Sequence, residues 1–389
     1  MKITIVAPYC SLPGEPYFNR FLYLAERLAQ THEVRLLTSR FRHFDKTFRR
    51  PEAAEAASSE RLQIVLLDEN GYSSNVSAGR LNSHRTLMRN LSAWLERERA
   101  GAADVVYSAY PLIESNILLG QNKARLGYKL IVDVQDVWPE SFSAVLPLVA
   151  NIPPRLLPFA RKADRAYRSA DALAAVSQTY LARAAAANQS VPAEAVYIGA
   201  DFGLIENAPA VRFEDGATHL VYFGTLSHSY DVETACRGVA QLRQDGHDVL
   251  LHVCGGGKDL PRLHQNYARS GTVFHGYLPY AEMISLAKGC DMAVNAIHSY
   301  APQSVTNKLS DYMALQKPVL NSQENPEVRS LLTLLPHAHY VSGRPHDFVA
   351  AFLRLKESEA PVQTAEITRL FDRRISYNRL VGLIKSFEK

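Results

Sequence analysis

The sequence lacks long hydrophobic segments and closely spaced cysteines. Its longest apolar stretches, such as residues 3–7 and 130–134, are far shorter than the ~18 residues that a membrane-spanning helix needs. The dispersed cysteines have neither zinc-clip nor redox-motif spacing. The first residues also lack the apolar region and small-residue cleavage site of a signal peptide. With 47% hydrophobic and 21% charged residues the chain is expected to be globular, and these absences predict a cytoplasmic protein.

Several nucleotide-binding and catalytic motifs are missing as well. The sequence has no Gly-x-Gly-x-x-Gly fingerprint, no P-loop and no Gly-x-Ser-x-Gly elbow. Dehydrogenase, P-loop ATPase and hydrolase functions are therefore disfavoured. The net charge is only +4, with 24 Lys and Arg against 19 Asp and Glu in residues 1–200. This small basic excess does not predict nucleic-acid binding.

Short apolar runs alternate with segments long enough for helices. The strand-like runs are residues 3–7, 34–37, 62–67, 104–107, 129–134, 172–176, 219–223, 249–254, 273–275, 292–297 and 318–321. Residues 18–29 and 231–243 have apolar side chains at helical spacing, and a helix is expected from about residue 306 to 315. The alternation predicts an α/β fold with parallel sheets covered on both faces.

The rhythm of strands and helices breaks once, which divides the chain into two domains. We predict two Rossmann-like, doubly wound parallel-sheet domains, in residues 1–198 and 219–372, joined by a linker in residues 199–218. A final helix in residues 373–389 could cross back to the first domain. Ligands of such sheets bind beyond the carboxyl ends of the strands, so two sheets facing a cleft would form one deep binding site.

Two glycine loops and one helix N-terminus are candidate ligand contacts. The loops start at Gly224 and Gly255, and each is equally consistent with a simple tight turn. In residues 304–319, Thr306 can cap a helix on which Lys308 and Asp311 share a face. A helix N-terminus attracts phosphate, and a carboxylate one turn later can accept ribose hydroxyls. The alternative is a capped surface helix with an ordinary ion pair.

Several runs in order resemble the family 4 glycosyltransferases of the GT-B fold. They are Asp-Val-Gln-Asp-Val-Trp-Pro-Glu-Ser at residues 133–141, Val-Tyr-Phe-Gly-Thr-Leu at 221–226, His-Gly-Tyr-Leu-Pro at 275–279, residues 287–291, Thr-Asn-Lys-Leu-Ser-Asp-Tyr-Met-Ala at 306–314 and Gln-Lys-Pro-Val at 316–319. The first run is similar to members that build bacterial surface polysaccharides. The resemblance covers most of the chain, and the order of the runs is more specific than any one of them.

The resemblance implies residue roles on both domains. On the donor side it implies the glycine loop of Gly224 and Thr225, Gly276 and Tyr277 near the base, N–H groups of Val305 and Thr306 at the diphosphate, Asp311 at the ribose and Gln303 in place of a Glu that faces the donor sugar. Lys308 becomes the nearest candidate for the phosphate charge, because residues 225–230 lack the Arg and Lys common in the family. Gly14 and Gln135 are acceptor-side candidates, and Asp136 is a catalytic candidate that could equally be a turn residue.

The implied reaction is metal-independent, retaining transfer of a sugar from a nucleotide-diphosphate donor. No Asp-x-Asp occurs in the sequence, and we expect no metal and no cofactor. The acceptor would be a glycan or a polyprenyl-linked saccharide in the synthesis of a surface polysaccharide such as capsule or O-antigen. Alternatives are a catalytically inactive nucleotide-sugar-binding partner subunit and a GT-B-fold nucleotide-sugar epimerase.

Two basic segments suggest contact with an anionic membrane. Residues 40–50 interleave Arg and Lys with Phe, and apolar residues at positions 156, 159, 163 and 167 form a helical stripe flanked by Arg and Lys. Both patterns also fit a solvated face, and aromatic residues with Arg can stack on single-stranded nucleic acid. We favour peripheral contact with the inner face of the plasma membrane and expect no nucleic-acid partner.

Overall fold

The computed structural model describes residues 1–16, 18–74, 77–140, 157–301 and 304–388. These residues form two compact units. Apart from the gaps, unit 1 contains residues 1–196 and 377–388, and unit 2 contains residues 197–376. Each unit is built around a parallel β-sheet, which confirms the predicted α/β class with two Rossmann-like domains.

Within its described residues, unit 1 has a seven-stranded sheet and a small separate hairpin. The strands of the sheet are β1 (Lys2–Val6), β2 (Glu33–Ser39), β5 (Leu62–Leu67), β6 (Val105–Tyr110), β7 (Lys129–Val134), β8 (Ala172–Ala175) and β9 (Ala193–Ala195), and the hairpin strands are β3 (Phe41–Arg42) and β4 (Thr47–Phe48). Their order across the sheet is β5-β2-β1-β6-β7-β8-β9, and neighbouring strands are parallel. The hairpin is antiparallel.

Helices cover the sheet of unit 1. They are α1 (Arg20–Ala29), α2 (Glu52–Ala57), α3 (Ala78–Arg97), α4 (Ile113–Leu126), α5 (Ala160–Arg168) and α6 (Gln178–Ala185). Helix α1 begins where the Asn19 side chain accepts hydrogen bonds from the first free N–H groups of the helix. Its residues Phe21, Leu24 and Leu28 recur at helical spacing and are buried in the core of unit 1.

Unit 2 has a six-stranded parallel sheet in its described part. Its strands are β10 (Thr218–Phe223), β11 (Val249–Cys254), β12 (Thr272–Gly276), β13 (Met292–Asn295), β14 (Val319–Asn321) and β15 (His337–His339). Their order is β12-β11-β10-β13-β14-β15. The helices of unit 2 are α7 (Phe202–Asn207), α8 (Val232–Gln244), α9 (Leu260–Tyr267), α10 (Tyr280–Gly289), α11 (Asn307–Leu315), α12 (Pro326–Leu332), α13 (Pro345–Lys356), α14 (Thr364–Phe371) and α15 (Arg373–Ser376).

The unit boundaries differ from the predicted linker and C-terminal segment. Residues 199–218 include α7, whose Phe202 and Ile205 are buried in the core of unit 2. This segment is therefore part of unit 2 and not a bare connection. The last helix, α16 (Asn378–Lys385), buries Leu380 and Ile384 in the core of unit 1, whereas α15 belongs to unit 2.

No helix among the described residues is both long enough and apolar enough to cross a membrane. The central strands are instead buried on both faces, as all four residues of β8 and of β13 illustrate. A parallel sheet covered by helices on both sides needs such uninterrupted apolar runs.

Candidate active site

Glycine loops from three neighbouring strands meet at the carboxyl edge of the unit 2 sheet. The N–H of Gly224 donates to the carbonyl of Cys254 over 2.9 Å, and the N–H of Gly255 donates to the carbonyl of Gly276 over 2.6 Å. A Cβ on Gly255 would lie 2.0 Å from the Gly224 carbonyl oxygen. Only glycine permits this approach, so the loops after β10, β11 and β12 form one layer of exposed backbone.

Lys308 lies under this layer. Its side chain is buried, and its Nζ donates to the hydroxyl of Tyr222 over 3.0 Å. The same nitrogen lies 3.6 Å from the ring centroid of Tyr230 and would be 2.8 Å from a Cβ on Gly224. No carboxylate among the described residues pairs with it.

The electrostatics of Lys308 follow from this burial. Desolvation lowers the pKa of the Lys308 ammonium well below its ordinary value. The ring faces of Tyr222 and Tyr230 attract the cation and oppose that effect in part. A bound anion at the Gly224 loop would supply the missing counter-charge.

Unsatisfied polar groups surround the start of α11. Thr306 precedes the helix as predicted, but its side chain makes no capping hydrogen bond. The hydroxyl oxygens of Ser304, Thr306 and Ser310 are buried without a partner among the described residues. Val305 is buried beside them. The free N–H groups of the first turn and these hydroxyls make this end of α11 suited to an anion.

Asp311 lies one turn along α11 from Lys308 but contacts a different element. Its Oδ1 accepts a hydrogen bond from the hydroxyl of Tyr280, at the start of α10, over 2.7 Å. Burial raises the pKa of Asp311 to about 6, and the positive charge of Arg373 opposes this shift. Lys308 and Asp311 therefore have different hydrogen-bond partners, and they do not form an ion pair in the described structure.

The remaining donor-side residues occupy two strand ends. Thr225 is exposed, and its carbonyl accepts a hydrogen bond from the Tyr222 hydroxyl over 2.8 Å. Gly276 has a φ of +68°, and a Cβ on it would meet no atom within 4 Å, so its surroundings are open. Tyr277 is 68% exposed. Gln303 lies outside the described residues.

The acceptor-side candidates lie on loops at the carboxyl edge of the unit 1 sheet. Gly14 is exposed after β1 with a φ of +81°. Asp136, after β7, accepts a hydrogen bond from the N–H of Val137 over 2.8 Å, which is a turn contact. The Nε2 of Gln135 is buried without a partner in the described structure. Thus β1 and β7, which flank β6, both present candidate residues at this edge.

Sequence reasoning missed a buried ion pair in unit 1. The Nε of Arg20 lies 2.7 Å from the Asp133 carboxylate, and both side chains are almost completely buried. The Tyr107 hydroxyl donates to the same carboxylate over 2.7 Å. An Asp inside the apolar strand β7 was a signal for a buried partner, but the sequence did not identify Arg20. This ion pair fixes α1 to β7.

A pocket in unit 1 was also missed. It has a volume of about 210 Å³ and is lined by Tyr9, Ser11, Phe18, Asn19, Phe41, His43, Phe44 and Arg49. Next to it the Tyr9 hydroxyl and His84 Nε2 are 2.7 Å apart. Aromatic walls with a few polar groups suit a small polar ligand such as a sugar. Its residues lie in separate segments of the chain, so no short sequence motif predicted this pocket.

The two basic segments differ in the structure. In residues 40–50, Arg49 is buried and pairs with Glu15 over 2.6 Å, while Arg40 pairs with Asp68. That segment therefore does not present the continuous basic surface that its sequence suggests. Helix α5 instead has four exposed basic residues, Arg161, Lys162, Arg165 and Arg168, after the half-exposed Phe159. Position 156 of the predicted stripe lies outside the described residues.

Solved structures of similar fold come from several enzymes. The lipopolysaccharide outer core galactosyltransferase WaaB has 17% identity, a TM-score of 0.64 and 99% coverage of both chains. Anabaena HepE, in complex with UDP and glucose, has 15% identity and a TM-score of 0.65 over 99% of this chain and 100% of that chain. A putative UDP-N-acetylglucosamine 2-epimerase from Listeria monocytogenes has 10% identity and a TM-score of 0.60 over 99% and 96%. These identities establish the fold alone.

Family models identify the relationship more closely. The model for the glycosyl transferase 4-like domain matches residues 19–200, and the model for glycosyl transferases group 1 matches residues 217–358. A search of curated protein sequences found no match. The two family matches fall on unit 1 and unit 2 in the expected order. The chain belongs to the family 4 glycosyltransferases of the GT-B fold.

Proposed function

We propose that this glycosyltransferase moves a sugar, with retention of configuration, from a nucleoside diphosphate to a glycan or polyprenyl-linked acceptor. The proposed setting is bacterial surface polysaccharide synthesis in the cytoplasm. The observation that carries the donor part is Lys308, a buried cation that lies against Gly224 and has no acidic partner among the described residues.

The diphosphate would bind between the Gly224 loop and the start of α11. Lys308 supplies a positive charge there, and the first turn of α11 supplies free N–H groups. The unpartnered hydroxyls of Ser304 and Thr306 can donate to phosphate oxygens. Because negative charge develops on the leaving diphosphate as the glycosidic bond breaks, Lys308 would act most strongly in the transition state. This arrangement supports catalysis without a metal ion.

The nucleoside would extend toward β12 and α10. Asp311 has one oxygen bonded to Tyr280 and retains capacity to accept from ribose hydroxyls when ionised. Gly276 and Tyr277 would border the base. HepE was solved with UDP-glucose, which makes UDP-sugars the first donors to test.

The acceptor would bind at the carboxyl edge of unit 1. The Tyr9 and Phe44 rings in its 210 Å³ pocket can stack on a sugar ring, and Asn19 offers hydrogen bonds. The unpartnered Nε2 of Gln135 can donate to a sugar hydroxyl, and we assign Asp136 to contact with the reacting sugar. Asp136→Asn should lower kcat, whereas a pure turn role would leave kcat unchanged because Asn also accepts from the Val137 N–H.

Peripheral membrane contact would use α5. Its exposed basic residues can approach anionic lipid, at about 1 kcal/mol for each residue near the surface. Changing Arg161 and Arg165 to Gln should weaken binding to phosphatidylglycerol vesicles, whereas changing Arg40 and Arg42, which pair with Asp68 and Asp45, should change it little. Equal losses in both double variants would remove this role from α5.

Acceptor-dependent release of nucleotide tests the whole proposal. The purified chain is incubated with UDP-sugars, with and without a polyprenyl-linked saccharide, and free UDP is measured. Release only with acceptor supports transfer. Donor binding without release in any acceptor mixture would favour an inactive partner subunit. Inversion of the donor sugar without acceptor would favour the epimerase alternative, which the fold of the Listeria protein keeps open.

A further inference from the structure

Three histidines on neighbouring strands of unit 2 form a continuous hydrogen-bonded chain. His219 on β10, His252 on β11 and His275 on β12 are linked by contacts of 2.9 Å between Nδ1 of one ring and Nε2 of the next. At the β10 end, His219 Nε2 lies 2.9 Å from a carboxylate oxygen of Asp215. We call Asp215, His219, His252 and His275 the histidine relay.

The relay is buried in its middle and open at both ends. His219 and His252 are 3% and 5% exposed, and the ring of Phe213 stacks on His219 with centroids 3.7 Å apart. The Asp215 side chain is 48% exposed. At the other end, His275 Nδ1 has no partner among the described residues and is not enclosed by protein, and the next residue is Gly276.

When the three imidazoles are neutral, the carboxylate fixes the direction of every hydrogen bond in the relay. The hydrogen bond from His219 lowers the pKa of Asp215, so at neutral pH this carboxylate can only accept. His219 must then carry its proton on Nε2 and accept at Nδ1. His252 and His275 must donate from Nε2 in turn. The chain therefore ends in His275 Nδ1 as a bare hydrogen-bond acceptor.

We propose that Asp215, His219 and His252 are positioning residues that present His275 Nδ1 as an acceptor to a ring N–H of the donor base. This inference rests on the proposed function, which puts the base beside Gly276. A base with a ring N–H, as in uracil or guanine, matches this acceptor. Cytosine and adenine have a bare ring nitrogen at the same place. This nitrogen cannot donate to His275 Nδ1, so two acceptors would face each other.

Reversing the polarity of the relay tests this assignment. In Asp215→Lys the new ammonium donates to His219 Nε2, which forces every imidazole to carry its proton on Nδ1. Glu214→Lys is the matched control, because Glu214 is the exposed neighbour and undergoes the same charge change. Nitrogen-15 NMR of the histidine rings in the full chain at pH 7.5 should show His275 protonated on Nε2 in the parent and in Glu214→Lys, and on Nδ1 in Asp215→Lys. An unchanged His275 tautomer in Asp215→Lys would overturn the relay.

Binding measurements then test the role at the base. Calorimetry compares UDP with CDP and GDP with ADP. In each pair a ring N–H is replaced by a bare ring nitrogen, together with a change of exocyclic groups. We expect the preference for UDP over CDP, or GDP over ADP, to fall by about ten-fold in Asp215→Lys and to stay unchanged in Glu214→Lys. Unchanged preference with normal UDP or GDP binding overturns only the base contact of His275. Failure of the parent to bind all four nucleotides overturns the proposed function together with that contact, and the NMR result still decides the relay by itself.

Discussion

Buried cations near the carboxyl edges of the two sheets differ in whether a carboxylate pairs with them. In unit 1, Arg20 pairs with Asp133 and Arg49 pairs with Glu15, so each buried cation has its own carboxylate. In unit 2, Lys308 is buried against tyrosine rings and has no carboxylate partner in the described structure. The buried Arg side chains of unit 1 are thus neutralised within the protein, whereas the Lys308 side chain of unit 2 is not.

This difference is the basis for the anion site that we propose beside Lys308. A buried charge without a counter-ion costs folding free energy, so such a group stabilises the protein only when something else compensates it. Near Lys308 the hydroxyls of Ser304, Thr306 and Ser310 also lack partners among the described residues. The proposed diphosphate would compensate Lys308 and accept hydrogen bonds from the Ser304 and Thr306 hydroxyls. Substitutions in each unit test this difference.

Removing one partner of the unit 1 ion pair should have the largest effect. Arg20→Met leaves Asp133 buried without its cation, and we expect the free energy of unfolding of unit 1 to fall by about 3 to 5 kcal/mol. Both tryptophans, Trp94 and Trp138, lie in unit 1, so their fluorescence in a urea titration follows that unit.

The double variant Arg20→Met, Asp133→Leu is the control. It removes both charges and should recover most of the lost stability, because no unpaired charge is left behind. A loss below about 1 kcal/mol in the single variant would contradict a stabilising role for the pair.

The same kind of change at Lys308 should act on catalysis instead. Lys308→Met keeps the apolar stem and removes a cation without a partner, so stability should hold or rise slightly. We expect kcat to fall by about 100-fold, because stabilisation of the leaving diphosphate is lost. Lys317→Met, two residues beyond α11, is the charge-matched control and should keep normal kcat. If Lys308→Met unfolds under conditions in which the parent stays folded, Lys308 is required for stability, as Arg20 is expected to be.

Asp311 should give a smaller, pH-dependent effect. Asp311→Asn should weaken UDP binding by about ten-fold at pH 7.5, because an amide oxygen accepts more weakly than a carboxylate. The pKa of Asp311 is raised to about 6, so the parent should lose this advantage as pH falls through 6. The ratio of parent and variant affinities between pH 5 and 8 isolates Asp311, because phosphate titration affects both proteins alike. A ratio that does not change with pH would show that Asp311 does not bind the ribose.

The free energy of unfolding should also depend on the pKa of Asp311. It should rise as pH falls, whereas the affinity for UDP should decrease. The folded protein holds this proton up to about pH 6, whereas the unfolded chain releases it near the ordinary value of 3.8. Stability of the parent should therefore fall as pH rises from about 4 to 6. Asp311→Asn should lack this fall, which thermal melting at pH 4 and pH 7 can check.

The sequence predicted the sheets better than the sites. Strands β5, β7 and β11 match their predicted ranges because buried parallel strands leave uninterrupted apolar runs. Short strands such as β9 and β15 were missed, since three residues carry too little pattern. At Lys308, which the sequence analysis selected, the environment was not foreseen, because its hydrogen-bond partner Tyr222 is 86 residues away.

The candidate site was predictable only where its residues lie in short motifs. Gly224, Gly276 and the start of α11 stand in runs that resemble the family, and the structure places each of them at the carboxyl edge of unit 2. The pocket beside Tyr9 is assembled from distant loops, so local spacing gave no sign of it. Ion pairing between Arg49 and Glu15 likewise depends on tertiary contacts, which is why residues 40–50 looked more basic than they are.

Metal removal should have the smallest effect. It tests whether Lys308 or a bound metal ion neutralises the diphosphate in unit 2. If Lys308 and the start of α11 neutralise the diphosphate, transfer should proceed within about two-fold of its normal rate in excess EDTA. A magnesium-dependent enzyme would instead hold the cation through free carboxylates and the phosphates, and Asp311 is already bonded to Tyr280. Initial rates with EDTA, and with EDTA followed by excess Mg²⁺ or Mn²⁺, separate the two cases. A large loss that either metal restores would mean that a bound ion, and not Lys308, supplies the positive charge that unit 1 obtains from its own side chains.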